Sequence, residues 1–265
     1  MFTFAVTAYQ EMSATRLQGQ RLLQCIQAAQ EHEAITEIVI VDDGSDDYPE
    51  LVSLLQEERK VRLYRNAENL GVFTNKVEAI LRATNPWVIT CDSDNVMDAQ
   101  YLDRAVAVAT EPNVWYCPSF AKPHFDYREL LGVYDLDSIT EFLTRQISHC
   151  AVNTGNQIVH RESFAKVFGK FRGVKRFDLL LENYLGVADR EDEKWHQVYG
   201  ANDSFILVKL WLEAGHCISI TSGLEYDHLV HRNNREASNY DRAPIEKCYL
   251  STALVRSISN PRSKL

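Results

Sequence analysis

The chain has 265 residues, 45% hydrophobic and 25% charged, with a formal charge of -9 at pH 7. That composition fits a globular chain long enough for one large domain or two small ones. The acidic balance argues against broad nucleic-acid binding, which needs a basic surface, but a bound metal could still invert the local field and hold an anion. Eleven glycines and seven prolines leave no low-complexity linker. Cys25, Cys91, Cys117, Cys150, Cys217 and Cys248 form no C-x-x-C pair, which excludes a zinc ribbon. They are expected to be free thiols in a reducing cytoplasm. No apolar run reaches bilayer-spanning length, and no leader is expected before Phe2, so a cytoplasmic protein is expected.

In chain order, FTFAVTAY (Phe2 to Tyr9) reads as a strand. A helical period follows, with Leu22, Leu23, Ile26 and Ala29 on one face. IVIV (Ile38 to Val41) suits a strand buried on both faces. Pro49 opens a second helix, Val61 to Tyr64 is a short strand, and Val72 to Ala83 is helical with Phe73, Val77, Ile80 and Leu81 inward. Trp87 to Cys91 is a fourth strand, Asp98 to Thr110 a helix, and Val114 to Cys117 a strand. Further on, Phe125 to Ser148 mixes loop and helix, Ile158 to Phe168 and Phe205 to Ala214 read as helices, and Ile218 to Ile220 as a short strand. Alternation over residues 1–120 predicts a mostly parallel sheet flanked by helices, with ligands beyond the carboxyl ends of its strands. Residues 121–265 form a less regular half of the same continuous domain.

Polar segments fall at those strand ends. WVITCDSDN runs a strand into Asp92 and Asp94, whose alternate spacing points both carboxylates one way. Hard oxygen donors of that kind suit Mg²⁺ or Mn²⁺ rather than zinc, although many surface turns contain a D-x-D. In VDDGSDD, Gly44 supplies a tight bend and Ser45 or Asp46 an N-cap, but the pair Asp42 and Asp43 exceeds what a turn needs. A carboxylate there can accept from N3–H of a uracil. In RNAENLGVFTNKVEA, Asn69 and Gly71 make a turn, and Lys76 sits early in a helix, where the dipole disfavours a cation unless an anion is near.

FAVTAY, IVIVDDGSDD, NAENLGVFTNK and VITCDSDN, in that order and spacing, resemble a GT-A glycosyltransferase of the glycosyltransferase family 2 type. The resemblance covers residues 1–120 well. NTGNQIVHR, GANDSFILVKLWLEAGH and YDHLVHRNN match the second half more loosely. The family commonly has Glu-Asp where this chain has Asn202-Asp203, and Asp203 keeps the base position. The resemblance implies a GT-A, Rossmann-like fold with a nucleotide-sugar half (1–120) and an acceptor and catalytic-base half (121–265). It implies a metal-dependent transfer from a nucleoside diphosphate sugar, a UDP-sugar, to an acceptor hydroxyl with inversion, in glycan or polysaccharide synthesis. Thr7, Ala8, Tyr9, Asp42, Asp43, Asn69, Lys76, Asp92, Ser93 and Asp94 would bind the donor, with Asp42 or Asp43 at the base. Asp94, with Asp92, would hold Mn²⁺ or Mg²⁺, and His228 or His231 could add a metal or phosphate ligand. Asp203 would be the catalytic base. The acceptor implied is a glycan or lipid-linked glycan, which leaves open peripheral association with the inner face of a membrane.

Other readings of the residues stand beside it. An apolar strand followed by Asp92, Asp94 and Val96 also resembles the first motif of haloacid-dehalogenase-type phosphatases, with Asp92 as nucleophile. Three strands precede it here, where that family places it on the first. The Asn202 departure also keeps an inactive nucleotide-sugar-binding protein in view. Trp195, His196 and Tyr199 could stack on a sugar or serve as core or loop residues.

Overall fold

The computed structural model describes residues 1–9, 16–123, 125–139, 156–174 and 202–228. Among them nine strands form one sheet: β1 (Phe2–Ala8), β2 (Ile35–Asp42), β3 (Val61–Arg65), β4 (Trp87–Asp92), β5 (Val114–Lys122), β6 (Phe125–Asp126), β7 (Gly132–Tyr134), β8 (Ile158–His160) and β9 (Cys217–Asp227). The order is β3-β2-β1-β4-β8-β5-β9-β7, with β6 hung on β5. The helices are α1 (Arg16–Glu31), α2 (Tyr48–Leu55), α3 (Val72–Arg82), α4 (Ala99–Val108), α5 (Arg161–Phe168) and α6 (Asn202–Glu213). As the alternation over residues 1–120 predicts, β3, β2, β1 and β4 are all parallel.

The strand period of two sorts the core into two layers. Phe4, Val6, Ile38, Ile40, Ile89 and Cys91 point to one face, where α1, α2 and α4 bring Leu22, Ile26, Leu51 and Leu102. Ala5, Val39, Val41 and Val88 point to the other, under Phe73, Val77 and Ile80 of α3, Phe164 and Phe168 of α5 and Trp211 of α6. Both faces of the central strands are covered, which is why their sequences are continuously apolar.

The order places the site. From β1 the chain steps outward to β2 and β3, then returns to set β4 on the opposite side of β1. The crossovers therefore leave the β1–β4 seam in opposite directions, and the carboxyl ends there open into a crevice. β1 meets β4 as far as Thr7 against Asp92, and β2 as far as Ala8 against Asp42.

The sequence reading holds for the first half and needs correction beyond it. Ile158–His160 is a strand, not the start of a helix, and only Arg161–Phe168 is helical. Ile158 and Val159 are β-favouring residues captured antiparallel between β4 and β5, so tertiary pairing decides their state. The strand expected at Ile218–Ile220 extends over Cys217–Asp227, because it runs parallel along β5 through an irregularity near Phe120. From 125 to 139 short strands and one 3₁₀ turn stand where loop and helix were expected. The N-cap of α2 is Asp47, not Ser45 or Asp46, since Ser45 is already bonded to Asp42.

A buried carboxylate ties the opposite, amino-terminal edge of the sheet. Glu37 accepts from the Thr3 hydroxyl at 2.6 Å, the Thr84 N–H at 2.8 Å and the Thr84 hydroxyl at 3.0 Å, and pairs with Arg62 at 2.9 Å. Beside it Asn85 donates to the Phe2 carbonyl and to the hydroxyls of Thr3 and Thr36. Glu37→Ala orphans these donors and is expected to lower the unfolding free energy by about 3 kcal/mol. Urea denaturation checks this; a loss below about 1 kcal/mol would show the network to be dispensable.

Candidate active site

Asp92 ends β4 at the β1–β4 seam, with its side chain 30% exposed. Its Oδ1 accepts from the Thr7 hydroxyl at 3.1 Å and lies 3.8 Å from the Lys76 ammonium. One carboxylate oxygen thus joins β1, β4 and α3. The anion that Lys76 needs early in its helix is, in part, this carboxylate of the chain itself. The Lys76 side chain is only 8% exposed, a degree of burial that requires such a partner.

The D-S-D-N turn follows directly. The Ser93 N–H donates to the Thr7 carbonyl, and the Asn95 N–H to the Asp92 carbonyl. On the other side, the Asp92 N–H donates to the Asn156 side-chain oxygen at 3.1 Å, and the Tyr101 hydroxyl bonds the Asn156 carbonyl. Asp94 sits half-buried in this turn. Beneath it lies Cys91, whose pKa is raised well above the usual thiol value by its hydrogen bond with Cys25 and by burial. It stays a neutral thiol and adds no negative charge under the two aspartates.

Asp42 and Asp43 are committed within the chain. Asp42 accepts from the Ser45 N–H at 3.0 Å and from the Ser45 hydroxyl, and Arg65 lies 3.7 Å away. Arg65 also donates to the Ser45 carbonyl at 2.7 Å and covers the Tyr48 ring. Asp43 holds the next loop: Oδ1 accepts from Asn66 Nδ2 and the Leu70 N–H, and Oδ2 from the Gly71 N–H, each at 2.9 Å. It therefore places a carboxylate at the amino end of α3, where the helix dipole favours one. Asn75 completes the corner, accepting from Asn66 and donating to the Val41 carbonyl. Gly44 has φ +77°, and a Cβ there would lie 2.7 Å from the Glu68 carbonyl carbon, so turn and loop are in backbone contact.

The remaining expected residues divide. Ala8 is buried, and its carbonyl accepts the Asp43 N–H. Tyr9, at the end of β1, is exposed. Asn69 is exposed and accepts from the Gly71 N–H of its own loop. His228 lies buried just beyond β9, with Nδ1 2.9 Å from Asn95 Oδ1. β9 is held to the turn by reciprocal bonds between Val96 and Asp227. Asp203 is the second residue of α6, but its side chain lies outside the described residues, as do His231, Trp195, His196 and Tyr199. Asn66, Asn75, Asn95, Asn156 and Cys25 build the site without having been singled out from sequence. The four asparagines stood inside the quoted motif segments, but lone amides carry no periodic signal.

Among the described residues, no three His, Cys, Asp or Glu side chains form a ready metal cage. Asp92 and Asp94 nevertheless fit a hard divalent cation, since Mg²⁺-type ions are held by one or two carboxylates together with substrate phosphates. Of the described residues, these two would hold it.

A strand-end site at the switch point of a doubly wound sheet is where ligands bind in open α/β folds. The model for "Glycosyl transferase family 2" matches residues 3–168, more than half of the chain, which therefore belongs to that family and is a glycosyltransferase. Solved structures share the GT-A fold. A mannosyltransferase of Pyrobaculum calidifontis, PcManGT, in complex with GDP-Man and Mn²⁺, is 15% identical at TM-score 0.58, covering 97% of this chain and 72% of that one. S. aureus TarS 1-349 with UDP-GlcNAc is 16% identical at TM-score 0.56, covering 89% and 60%. The same fragment with UDP is 16% identical at TM-score 0.57, covering 99% and 73%. No curated protein matches the chain in sequence. No helix among the described residues is long and apolar enough to cross a membrane.

Burial raises the Asp43 pKa above 3.8, against its hydrogen bonds from Leu70, Asn66 and Gly71, and the Asp42 charge adds to the rise. The folded state then binds this proton more tightly than the unfolded one. The contribution of Asp43 to stability is largest below pH 3.8 and falls as pH rises through its raised midpoint. A carboxyl-carbon NMR titration is expected to place that midpoint above 3.8, and one at or below it would contradict the assignment. Asp43→Ala, which frees the loop, is expected to cost about 2 kcal/mol in urea unfolding.

Proposed function

We propose that the chain transfers a sugar from a nucleoside diphosphate sugar, a UDP-sugar, to an acceptor hydroxyl with inversion, as one continuous domain, in the synthesis of a glycan or polysaccharide. The observation that carries this reading is the meeting of Thr7, Lys76 and Asp92 at the β1–β4 seam of a family 2 fold, with Asp94 in the adjoining turn. Relatives of the same fold were solved with GDP-Man and Mn²⁺ and with UDP-GlcNAc, which supports nucleotide-sugar and divalent-metal use here.

Breaking the bond from sugar to diphosphate leaves negative charge on the phosphate. A divalent cation bound with the diphosphate supplies charge stabilisation at that oxygen, and Asp94, with Asp92, would hold it. Lys76 adds a fixed positive charge at the same end of the sheet, in a buried setting where it acts more strongly than in water. Thr7 and Lys76 together keep the Asp92 carboxylate oriented before donor arrives, which lowers the reorganisation needed on binding. The Asp43 clamp fixes the 66–71 loop, so the amino end of α3 and its Lys76 stand in one place. Asp203, at the start of α6, takes the acceptor proton. Attack from the face opposite the diphosphate inverts the anomeric centre.

Incubation with Mn²⁺ and a panel of UDP- and GDP-sugars, with and without glycan acceptors, is expected to release nucleoside diphosphate from a UDP-sugar and to stop in EDTA. No binding or release from any donor would overturn the reading. Phosphate release from simple phosphoesters instead would favour a phosphatase. Asp94→Ala is expected to abolish the Mn²⁺-dependent part of donor affinity in calorimetry. Asp203→Asn is expected to leave donor Kd within about twofold while lowering turnover roughly 10²–10⁴-fold, the contribution of a positioned base. Near-normal turnover in that variant would remove Asp203 from the base role.

A further inference from the structure

β4 and β8 stop pairing as backbones just short of the site. Their antiparallel ladder runs from Trp87 against His160 to Ile89 against Ile158. One step further, the Thr90 N–H still reaches the Gln157 carbonyl at 2.7 Å, but the Gln157 N–H turns to the Thr90 hydroxyl at 2.9 Å. The Asp92 N–H then meets a side chain in place of a carbonyl, donating to Asn156 Oδ1 at 3.1 Å. Asn156 is 2% exposed, and its own carbonyl accepts the Tyr101 hydroxyl at 3.1 Å, which ties it to α4. An amide can accept an N–H only through its oxygen, so this bond also sets which way the side chain is turned.

We propose that Asn156 is a positioning residue: it anchors the backbone of Asp92, so that the carboxylate at the end of β4 is held where the donor and its cation need it. Thr7 and Lys76 draw Asp92 Oδ1 from β1 and α3. β8 lies on the other side of β4 from β1, so Asn156 holds the same residue from the opposite flank. The backbone ladder has ended there, and the amide does what a strand would otherwise do. Without it the Asp92 N–H lacks an acceptor and turns toward water, because a buried N–H is costly to leave unpaired. Water lies at the opening of the seam, and the carboxylate shifts with its backbone. The inference rests on the function proposed above and deepens it: the second half of the chain reaches into the first and sets one of its two strand-end aspartates.

The test uses the full chain, ¹⁵N-labelled, and compares Asn156→Leu, which keeps the volume and loses the acceptor, with Asn156→Asp, which keeps an acceptor. Amide exchange at Asp92 is followed by NMR without metal and referred to the Ile38 amide, which is bonded to the Lys60 carbonyl, so that a general loss of stability cancels. The Asp92 amide is expected to exchange about tenfold faster in Asn156→Leu and to stay protected in Asn156→Asp. A wild-type Asp92 amide that exchanges as fast as an unstructured one would overturn the proposal whatever the variants do. Mn²⁺ binding to the UDP-loaded protein, read by electron paramagnetic resonance of free Mn²⁺, is expected to weaken about tenfold in Asn156→Leu and to be kept in Asn156→Asp. Equal losses in the two variants would refute the role, since the acceptor would then not be what matters. Unchanged Mn²⁺ affinity in Asn156→Leu, with loss in Asp94→Ala, would refute it too and leave the proposed function standing. A wild-type protein that binds no Mn²⁺ with UDP would refute the proposed function, and the positioning role of Asn156 with it.

Discussion

One oxygen atom joins the parts of this molecule that matter for chemistry. Asp92 Oδ1 is reached by Thr7 from β1 and by Lys76 from α3, while Asp92 itself terminates β4. Two neighbouring parallel strands are set in register by their backbones, but nothing in a ladder fixes how a helix packed over them is rotated. The Lys76–Asp92 pair, together with the buried Phe73, Val77 and Ile80, does so for α3, because a cation that is nearly buried must meet an anion. The topology supplies a crevice at this seam, and the ion pair determines what lines it.

The acidic residues at the strand ends serve different purposes. Asp42 and Asp43 are almost fully buried, at 1% and 3% exposure, and spend their oxygens on Ser45, Asn66, Leu70 and Gly71. They shape the corner on which α3 starts. Asp92 and Asp94 are half-buried and reach the opening of the seam. The first pair gives the wall its rigidity, and the second gives the opening its charge. Glu37, at the other edge of the sheet, shows that burial of a carboxylate alone does not mark chemistry. It is satisfied by threonines and an arginine, far along the strands from the seam.

Much of this was legible in the chain of letters. Continuous apolar runs bounded by acids announced parallel strands buried on both faces, and Ile38 to Val41 and Val88 to Cys91 are such strands. The helix at 72–82 was readable because Phe73, Val77 and Ile80 repeat at its period. The second half was less readable for a physical reason. Ile158–His160 is three residues long and owes its state to the strands on either side, so no local pattern could distinguish it from the helix that continues it. The same holds for the amides. The side-chain oxygens of Asn95 and Asn156 meet partners 133 and 64 residues away, and single long-range contacts leave no periodicity.

The tight bend at Gly44 has a consequence for how this surface can vary. It is not a core position, yet a methyl group there would press on the backbone at Glu68 and Asn69, and the backbone angle itself is one that side chains resist. Asp46, exposed two residues further on, can exchange charge or size and keep the fold. Position 44 cannot, because the space a side chain would need is already occupied by the loop leading to Gly71 and α3. An outward turn of this enzyme is thus as unforgiving as its interior, and drift in sequence along this edge must pass around a single fixed point.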